Sequence, residues 1–366
     1  MKVTFVLPKD PSHEAGGDVT MPKLVAALAR ESHDVNVVCL SAQPESTADG
    51  HIRVFKPAPR ARDLAVRSIL GNRSLVHTRF SIDGVTEAVD RLDSDRFVVE
   101  HAYMAEPLLH SRRHDPAESM AISTSVSEVD VWRRTRGRIG QIEAPRIARD
   151  ELRTARAARS VGSYSVGEAR HLAAHGVARS HFLDLTLPPN KQVDIATTGP
   201  RLLFVGDRKW PPNQQAYERL LSLWPQISAD IPHAELLVIG QPDPAAPPVA
   251  IPPGVTVAGF VPDLDEMVAS CRALAAPVLT GGGVRVKLLD MASRGMPVVA
   301  TSHAVGSLGD ALSIETFDDT DEFVDRCRRY LLDRECAAAD GRALYERNSS
   351  RWFDEVPHRS VEEFLR

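Results

Sequence analysis

The sequence predicts an α/β protein made of two doubly wound domains of similar size, each built on a parallel sheet. Short apolar runs alternate with longer stretches of helical period along most of the chain, which is typical of such sheets. The periodicity stops at "LPPNKQVDIATTGP" (187–200), where prolines, threonines and a glycine indicate a linker. The 366 residues are enough for two domains, each with its own core.

The first half begins with the apolar run "VTFVL" after Met1 and Lys2, which is too short for a signal peptide and suits a buried strand. Further runs of this kind follow, separated by stretches with apolar residues at helical spacing. Residues 42–80, rich in arginine, proline and polar side chains, are expected to leave the sheet as an excursion. The expected strands are 3–7, 34–40, 97–102, 121–124, 160–165 and 181–187, and the expected helices lie near 18–31, 84–93, 145–159 and 166–175.

The alternation restarts after the linker. The expected strands are 201–207, 234–240, 255–261, 273–278, 297–301 and 312–317, and the expected helices are 213–229, 263–271, 284–294, 319–347 and 352–365. We therefore predict an N-terminal domain at 1–190 and a C-terminal domain at 191–347. A helix in 348–366 is expected to pack back on the N-terminal domain.

Composition excludes several classes of protein. With 43% hydrophobic and 25% charged residues the chain is an ordinary globular protein, and a net charge of −5 argues against nucleic acid as a partner. No apolar run reaches the roughly 20 residues that span a bilayer, so membrane contact is expected to be peripheral at most. Four cysteines without C-x-x-C spacing predict reduced thiols in the cytoplasm and no zinc site. Frequent Ala, Arg, Asp and Pro are typical of a high-GC bacterial source.

The stretch "PVLTGGGVRVKLLD" (277–290) combines a glycine loop with two cations at the start of a helix. Arg285 and Lys287 would lie where the helix dipole disfavours positive charge, unless an anion is bound there. Free backbone N–H groups and both side chains would then bind a phosphate or diphosphate. The alternative is a tight turn with a solvated Arg285, in which Asp290 pairs with Lys287 or Arg294.

Two further loops follow candidate strands. In "FVGDRKWPPN" (204–213), Arg208 and Lys209 lie between a strand and a helix that opens with two prolines, so they could neutralise the same anion. In "HEAGGDVTMPK" (13–23), Gly16 and Gly17 precede a helix. Taken alone, the basic loop is better explained as a solvated turn, and the glycine loop could equally be a turn without a ligand. The glycine loop lacks the G-x-G-x-x-G pattern of a dinucleotide site.

His101, in "VVEHAYMAE", follows a buried strand and could bind a sugar hydroxyl or act as an acid or base. Glu100 and Glu128 are the other candidates from the same edge of the sheet. A satisfied structural polar residue is the alternative for each of the three.

The quoted motifs, together with "PHAELLVIG", "VTVAGFVPDLDEMVASC" and "YSVGEARHLAAHGV", resemble GT-B glycosyltransferases over nearly the whole chain. The C-terminal half resembles the donor-binding half of a bacterial group of glycosyltransferase family 4 with a P-x-GGG-x-R-x-K signature. The resemblance implies two Rossmann-like domains facing a central cleft. It also implies transfer of a hexose-type sugar, with retention of configuration, from a nucleoside diphosphate sugar (UDP, GDP or TDP) to an acceptor hydroxyl. The acceptor would be a polysaccharide, glycolipid or natural product. The resemblance implies that no metal or other cofactor is needed.

The resemblance also suggests roles for individual residues. Asp290 matches a family glutamate that binds the donor ribose, and Gly282 stands where many relatives carry another glutamate. His101 matches a histidine that contacts the transferred sugar, and the catalytic set is His101, Arg208 and Lys287. The diphosphate is expected at Gly16, Gly17, Arg208, Lys209, Gly282, Gly283, Val284, Arg285 and Lys287, and the ribose and base at Asp290, Gly240, Phe260 and Val261.

Two rival functions stay open. A GT-B epimerase or pseudo-glycosidic coupling enzyme would use the same donor site without ordinary glycosylation. A catalytically inactive scaffold would bind a nucleotide sugar only. The arginines at 133–138 and the excursion at 42–80 could shape the acceptor side, touch anionic lipid or be solvated, and solvation is the favoured interpretation. The location would be cytoplasmic, at most peripheral at the inner membrane face.

Overall fold

The computed structural model describes residues 1–14, 16–46, 49–261 and 263–366. The chain divides into two compact units. Unit 1 consists of Met1–Leu185, Gly282–Val284 and Val356–Arg366, and unit 2 consists of Thr186–Gly281 and Arg285–Glu355. The first division thus lies a few residues before the expected position at 190.

Unit 1 is built on a parallel sheet that the described residues form from seven strands, in the order β3-β2-β1-β4-β5-β6-β7. The strands are β1 (Lys2–Leu7), β2 (Asp34–Ser41), β3 (Ile52–Phe55), β4 (Arg96–Glu100), β5 (Met120–Thr124), β6 (Ser160–Ser163) and β7 (Ser180–Phe182). The central strands are buried on both faces, which explains why they are continuous apolar runs.

The helices of unit 1 connect these strands as crossovers. They are α1 (Gly17–Arg30), α2 (Ala61–Leu70), α3 (Leu75–Phe80), α4 (Asp83–Arg91), α5 (Glu106–Leu109), α6 (Pro116–Ser119), α7 (Glu128–Thr135), α8 (Gly137–Ala157) and α9 (Val166–Ala174), with a 3-10 turn at Ala102–Ala105. Helix α17 (Val356–Leu365) also belongs to this unit.

Unit 2 has a smaller parallel sheet in the order β10-β9-β8-β11-β12. Its strands are β8 (Arg201–Val205), β9 (Glu235–Ile239), β10 (Val255–Gly259), β11 (Ala273–Ala276) and β12 (Val298–Ala300). Its helices are α10 (Pro211–Ser228), α11 (Asp265–Ala269), α12 (Val286–Arg294), α13 (Ser302–Val305), α14 (Leu308–Leu312), α15 (Thr320–Leu332) and α16 (Arg334–Phe353), with a 3-10 turn at Ile195–Thr197. The predicted fold class, two doubly wound parallel α/β sheets, is confirmed.

Three expected elements differ in the structure. Residues 52–55, inside the expected excursion, form edge strand β3 beside β2. A strand expected at 312–317 is absent from the described residues. Helix α14 ends at Leu312, Ile314 N–H donates back to the Gly309 carbonyl at 3.1 Å, and the contact with β12 is a hydrogen bond of 2.9 Å from Phe317 N–H to the Ala300 carbonyl. The helix expected over 319–347 is two helices, α15 and α16, that meet at Asp333, whose side chain caps α16.

The last helix, α17, packs against α1 and β6. Its C-terminal end is bound through backbone oxygens: Ser160 Oγ donates to the Phe364 carbonyl at 2.8 Å, and Arg96 Nε donates to the Leu365 carbonyl at 3.0 Å. Phe364 is fully buried. Helix α16 extends to Phe353, and the segment that groups with unit 1 begins at Val356.

Candidate active site

Both sheets share one topological property that locates ligand sites. In doubly wound sheets, ligands bind outside the carboxyl ends of the strands, where the strand order reverses. In unit 2 the order reverses between β8 and β11. The loops that leave these strands are 206–210 and 277–285, so the predicted diphosphate residues of this unit lie at its switch point.

Arg208 and Lys287 lie over a pair of neighbouring aromatic rings. The guanidinium carbon of Arg208 is 4.5 Å from the centroid of the Tyr217 ring, and Nζ of Lys287 is 5.7 Å from that of Phe204. The two ring centroids are 6.3 Å apart. The structure therefore brings together the two cations that the sequence placed on separate loops.

Asn213 orients the lysine. Its side-chain Oδ1 accepts a hydrogen bond of 3.0 Å from Lys287 Nζ, and its Nδ2 donates to the Asp207 carbonyl at 2.9 Å. Asn213 lies on the first turn of α10, which Pro211 and Pro212 begin. It was not among the predicted site residues; the signal for it was its place directly after the two prolines, at the carboxyl end of β8.

The two cations are not neutralised by the carboxylates on nearby described elements. Asp290 and Asp265 both pair with Arg294, at 2.9 and 2.7 Å. Arg208 is only 7% exposed, and its Nε has no hydrogen-bond partner within the described chain. Burial, with the nearby charge of Arg285 as a second cause, lowers the pKa of Lys287 to about 8. A desolvated pair of cations of this kind is costly without an anion.

The glycine loop ends at α12, whose N-terminus no described side chain caps. Gly281 has φ 101°, and a Cβ atom there would lie 2.8 Å from Cγ of Pro212, so this glycine is required by the start of α10. Gly282, Gly283 and Val284 group with unit 1, and Gly283 also has a positive φ, 97°. The packing of Pro212 thus explains why residue 281 is a glycine, and the sequence did not suggest this explanation.

Arg285, the residue before α12, donates from Nη2 to the His303 carbonyl at 2.6 Å. Its pKa is lowered by burial. Lys209 is exposed and donates from Nζ to Gln241 Oε1 at 2.6 Å. The side chains of both predicted diphosphate residues are thus engaged by the protein, and their roles stay predictions.

The predicted ribose and base residues follow the neighbouring strands. Asp290 binds Arg294, one of the two pairings that the sequence allowed, and its ribose role stays a prediction. Gly240 follows β9 with φ 137°, and a Cβ atom there would lie 1.9 Å from the Gly206 carbonyl oxygen. Phe260 is 62% exposed directly after β10, and Val261 beside it is half-buried.

Unit 1 repeats the arrangement, with its strand order reversing between β1 and β4. Gly16 lies at the N-cap of α1 with φ 122° and ψ 172°, a conformation essentially confined to glycine, and Gly17 is the first helical residue. The Gly16 carbonyl accepts hydrogen bonds from the backbone of Val19 and Thr20, at 3.0 and 2.9 Å. The predicted glycine loop therefore leaves the carboxyl end of β1 at the switch point.

His101 follows β4 at the same switch point and is strained. Its φ of 65° with ψ 148° costs about 1–3 kcal/mol for a residue with a side chain, and such strain clusters at functional sites. The ring is buried, stacks on Tyr103 with centroids 5.0 Å apart, and has Nε2 3.4 Å from Ser125 Oγ. These contacts fix the plane of the imidazole.

The carboxylates of unit 1 have separate environments. Glu100 is buried beside His101, with Oε1 3.9 Å from Nε2. Glu128 begins α7, and its backbone N–H donates to Glu151 Oε1 at 2.7 Å. Burial raises the pKa of Glu151 to about 8. Glu151 was not predicted from the sequence, because its burial depends on the packing of α7 against α8.

Among the described residues, no group of three or more His, Cys, Asp or Glu side chains comes together as a possible metal site. None of the described helices is long and apolar enough to cross a bilayer.

Residues 199–333 match the profile of the family described as glycosyl transferases group 1. No curated protein sequence matches the chain. Among solved structures, it is similar to the sucrose-phosphate synthase of Thermosynechococcus elongatus, with a TM-score of 0.71 and 15% identity over 99% of this chain and 97% of that one.

Two further structures resemble the chain over nearly its whole length. WaaG, a glycosyltransferase involved in lipopolysaccharide biosynthesis, has a TM-score of 0.65 and 14% identity, covering 98% of both chains. HepE of Anabaena, solved in complex with UDP and glucose, has a TM-score of 0.64 and 13% identity, covering 100% of this chain and 99% of that one. At these identities the likeness shows the fold, which is GT-B.

Proposed function

We propose that this chain, which has the GT-B fold and matches the glycosyl transferases group 1 profile over residues 199–333, moves a hexose-type sugar from a nucleoside diphosphate sugar to an acceptor hydroxyl with retention of configuration. The observation that supports this best is the pair of Arg208 and Lys287. Both are cations at the switch point of unit 2, Arg208 buried and Lys287 half-buried, and neither has a carboxylate partner within the described chain. A donor diphosphate would supply the missing negative charge.

The chemistry follows from where charge develops. As the bond between the sugar and the diphosphate breaks, negative charge grows on the leaving phosphate while the sugar becomes oxocarbenium-like. Arg208, Lys287 and the uncapped amides of α12 would stabilise that charge without reorganising, which is often the largest catalytic contribution. We propose that the leaving phosphate accepts the acceptor proton, that no metal takes part, and that His101 binds the transferred sugar.

The proposed location is the cytoplasm. Cys39, Cys271, Cys327 and Cys336 are all free thiols, which suits a reducing compartment.

A thermal-shift screen with UDP, GDP, TDP and ADP tests the donor assignment. A ligand that binds only the native state stabilises it by about 2.7 kcal/mol at a hundred times its Kd, so one nucleotide should raise Tm by several degrees. Lys287→Met should lose this shift, whereas Lys191→Met, at an exposed lysine of the same unit, should keep it. No shift with any nucleotide diphosphate would contradict the proposal.

The affinity for the nucleotide diphosphate is expected to fall as the pH rises through about 8. The folded-state pKa of Lys287 is depressed to about 8, so its charge is lost there, while an exposed lysine keeps its charge to about pH 10. Loss of one charge-assisted contact should weaken binding at least tenfold. Titration calorimetry across this range measures it, and Lys287→Arg should remove the transition. An unchanged transition in that variant would assign it to another group.

The same shift predicts a stability change with a definite sign. Between pH 8 and the unfolded-state pKa of 10.5, the unfolded chain holds a proton on Lys287 that the folded chain has released. The contribution of Lys287 to the free energy of unfolding of the ligand-free protein should therefore rise through this window.

A further inference from the structure

Arg294, the last residue of α12, joins two carboxylates of unit 2. Its Nε donates to Oδ1 of Asp290 at 2.9 Å, and its Nη1 donates to Oδ1 of Asp265 at 2.7 Å. The side chain of Arg294 is 13% exposed and that of Asp290 is 24% exposed, so their contact is shielded from water, unlike an exposed ion pair. A shielded guanidinium with two charged partners restricts the rotation of the carboxylates that it binds.

The backbone at this end of α12 is held as well. The backbone N–H groups of Asn190 and Val193 donate to the carbonyls of Ser293 and Arg294, each at 2.8 Å. Side chains of a helix lean toward its N-terminus, so a residue fixed at the end of α12 reaches back along the helix. The guanidinium of Arg294 is therefore fixed from both ends, by the backbone that carries it and by the two carboxylates that it binds.

Asp290 lies on the same face of α12 as Lys287. The two residues are three positions apart, so Asp290 is about 4.5 Å further along the helix axis. Lys287 Nζ donates to Asn213 Oδ1 and leaves the Asp290 carboxylate to Arg294. Within the described chain, Oδ2 of Asp290 accepts no hydrogen bond. One oxygen of this carboxylate is thus bound, and the other is available to a ligand.

The chemistry of a nucleoside diphosphate fits this arrangement. Its ribose is bonded directly to the diphosphate, so a carboxylate one turn beyond a phosphate-binding lysine is close to the ribose hydroxyls. A carboxylate oxygen accepts hydrogen bonds from hydroxyl groups strongly. Asp265, the second partner of Arg294, begins α11 four residues after Val261, a predicted base residue. Arg294 therefore links the helix at the predicted diphosphate site to the segment that is expected to bind the base.

We propose that Arg294 is a positioning residue for the nucleoside part of the donor. It holds Oδ1 of Asp290, so that Oδ2 accepts a hydrogen bond from a ribose hydroxyl, and it does not contact the donor itself. The inference rests on the proposed function. Removing Arg294 frees the carboxylate to rotate and weakens the hydroxyl contact. It also removes a positive charge near the diphosphate, but that loss weakens nucleotides with and without ribose hydroxyls alike. The ratio of the two affinities therefore reports the positioning role.

Titration calorimetry with UDP, GDP and ADP, each beside its 2′,3′-dideoxy analogue, measures this ratio. The best-binding ribonucleotide should bind the native chain about tenfold or more tightly than its analogue, as expected for a hydrogen bond to a charged group. Asp290→Ala should bring the ratio close to one. Arg294→Met should lower it to about threefold or less, since a carboxylate that is free to rotate loses most of such a bond. In the Asp290→Ala background, Arg294→Met should not change the ratio, because Arg294 acts through Asp290.

Arg326→Met is the matched control. Arg326 also joins two carboxylates of unit 2, Glu315 and Asp340, with its side chain 18% exposed, but it lies on α15, away from the two switch-point loops. This variant should keep the native ratio. Circular dichroism and Tm establish that each variant is folded. Arg294→Lys keeps the charge but lacks the planar fork that bonds both carboxylates, so its ratio should lie between those of the native chain and Arg294→Met. It takes the place of Arg294→Met if that variant does not fold.

A native ratio in the folded Arg294 variant would overturn the inference, and so would an equal loss in Arg326→Met. A native chain that binds a nucleoside diphosphate and its dideoxy analogue equally would also overturn it, while the proposed diphosphate site would stand. Failure of the native chain to bind any nucleoside diphosphate would instead contradict the proposed function, and this inference with it.

Discussion

Replacing Lys287 by alanine is expected to lower kcat/KM for the nucleotide sugar by about 2–4 kcal/mol in transition-state free energy, or about 30- to 1000-fold. The reason is the position of the ammonium group. It is held by Asn213, half-buried, and near Arg208 without a carboxylate partner among the described residues, so its charge acts in a medium of low effective dielectric. Steady-state kinetics with the donor identified by thermal shift measure the loss.

A measurement of stability distinguishes a role of Lys287 in phosphate binding from a structural role. Because burial lowers the pKa of Lys287, holding its charge at neutral pH reduces the free energy of unfolding. Lys287→Met keeps the length of the side chain and removes the charge, so Tm should hold or rise while turnover falls. The Lys191→Ala control, an exposed lysine of unit 2, should leave both unchanged. A stably folded Lys287→Met enzyme with native turnover would exclude this lysine from phosphate binding.

Gly240→Ala is expected to have the largest effect on stability, lowering the free energy of unfolding by about 3–5 kcal/mol. The residue has φ 137°, which side chains rarely adopt, and its added Cβ would lie 1.9 Å from the Gly206 carbonyl oxygen. Relief of this clash requires the ends of β8 and β9 to separate. That movement would displace the backbone N–H of Arg208, which donates to the Gln241 carbonyl at 2.9 Å.

Denaturant unfolding measures this change, with Gly199→Ala as the matched control. Gly199 also lies in unit 2, close to β8, but it has no positive φ and no atom within 4 Å of the added Cβ. The control should unfold like the native chain. If Gly240→Ala lost no more stability than Gly199→Ala, the backbone contact would not constrain the donor loop.

Much of the architecture could be predicted because parallel strands buried on both faces are continuous apolar runs, such as β1 and β5. The loops were predictable for the same reason, since the end of each run fixes where Arg208 or His101 leaves the sheet. Edge strand β3 was missed because its exposed or half-buried residues lack such a run. Residues 312–317 were wrongly predicted as a strand because an apolar alternation alone does not show whether the neighbouring strand continues to pair.

The details of the site were beyond the sequence because they depend on contacts between distant segments. Nothing local to residue 281 shows that Pro212 fills the space its side chain would need. Nothing near Arg285 shows that the His303 carbonyl binds it. Similarly, the pairing of Lys287 with Asn213 joins residues 74 positions apart. A pattern along the chain finds the loops, and only the fold assigns a partner to each side chain in them.

The position of α17 has a consequence for how the protein is made. Residues 356–365 are part of unit 1, yet they leave the ribosome after all of unit 2. A domain synthesised first usually folds first. Here the surface of α1 and β6 that α17 covers stays uncovered until residues 356–365 have been synthesised, whereas unit 2 has its full set of strands and helices earlier. The packing of unit 1 is thus completed only after unit 2 has been synthesised.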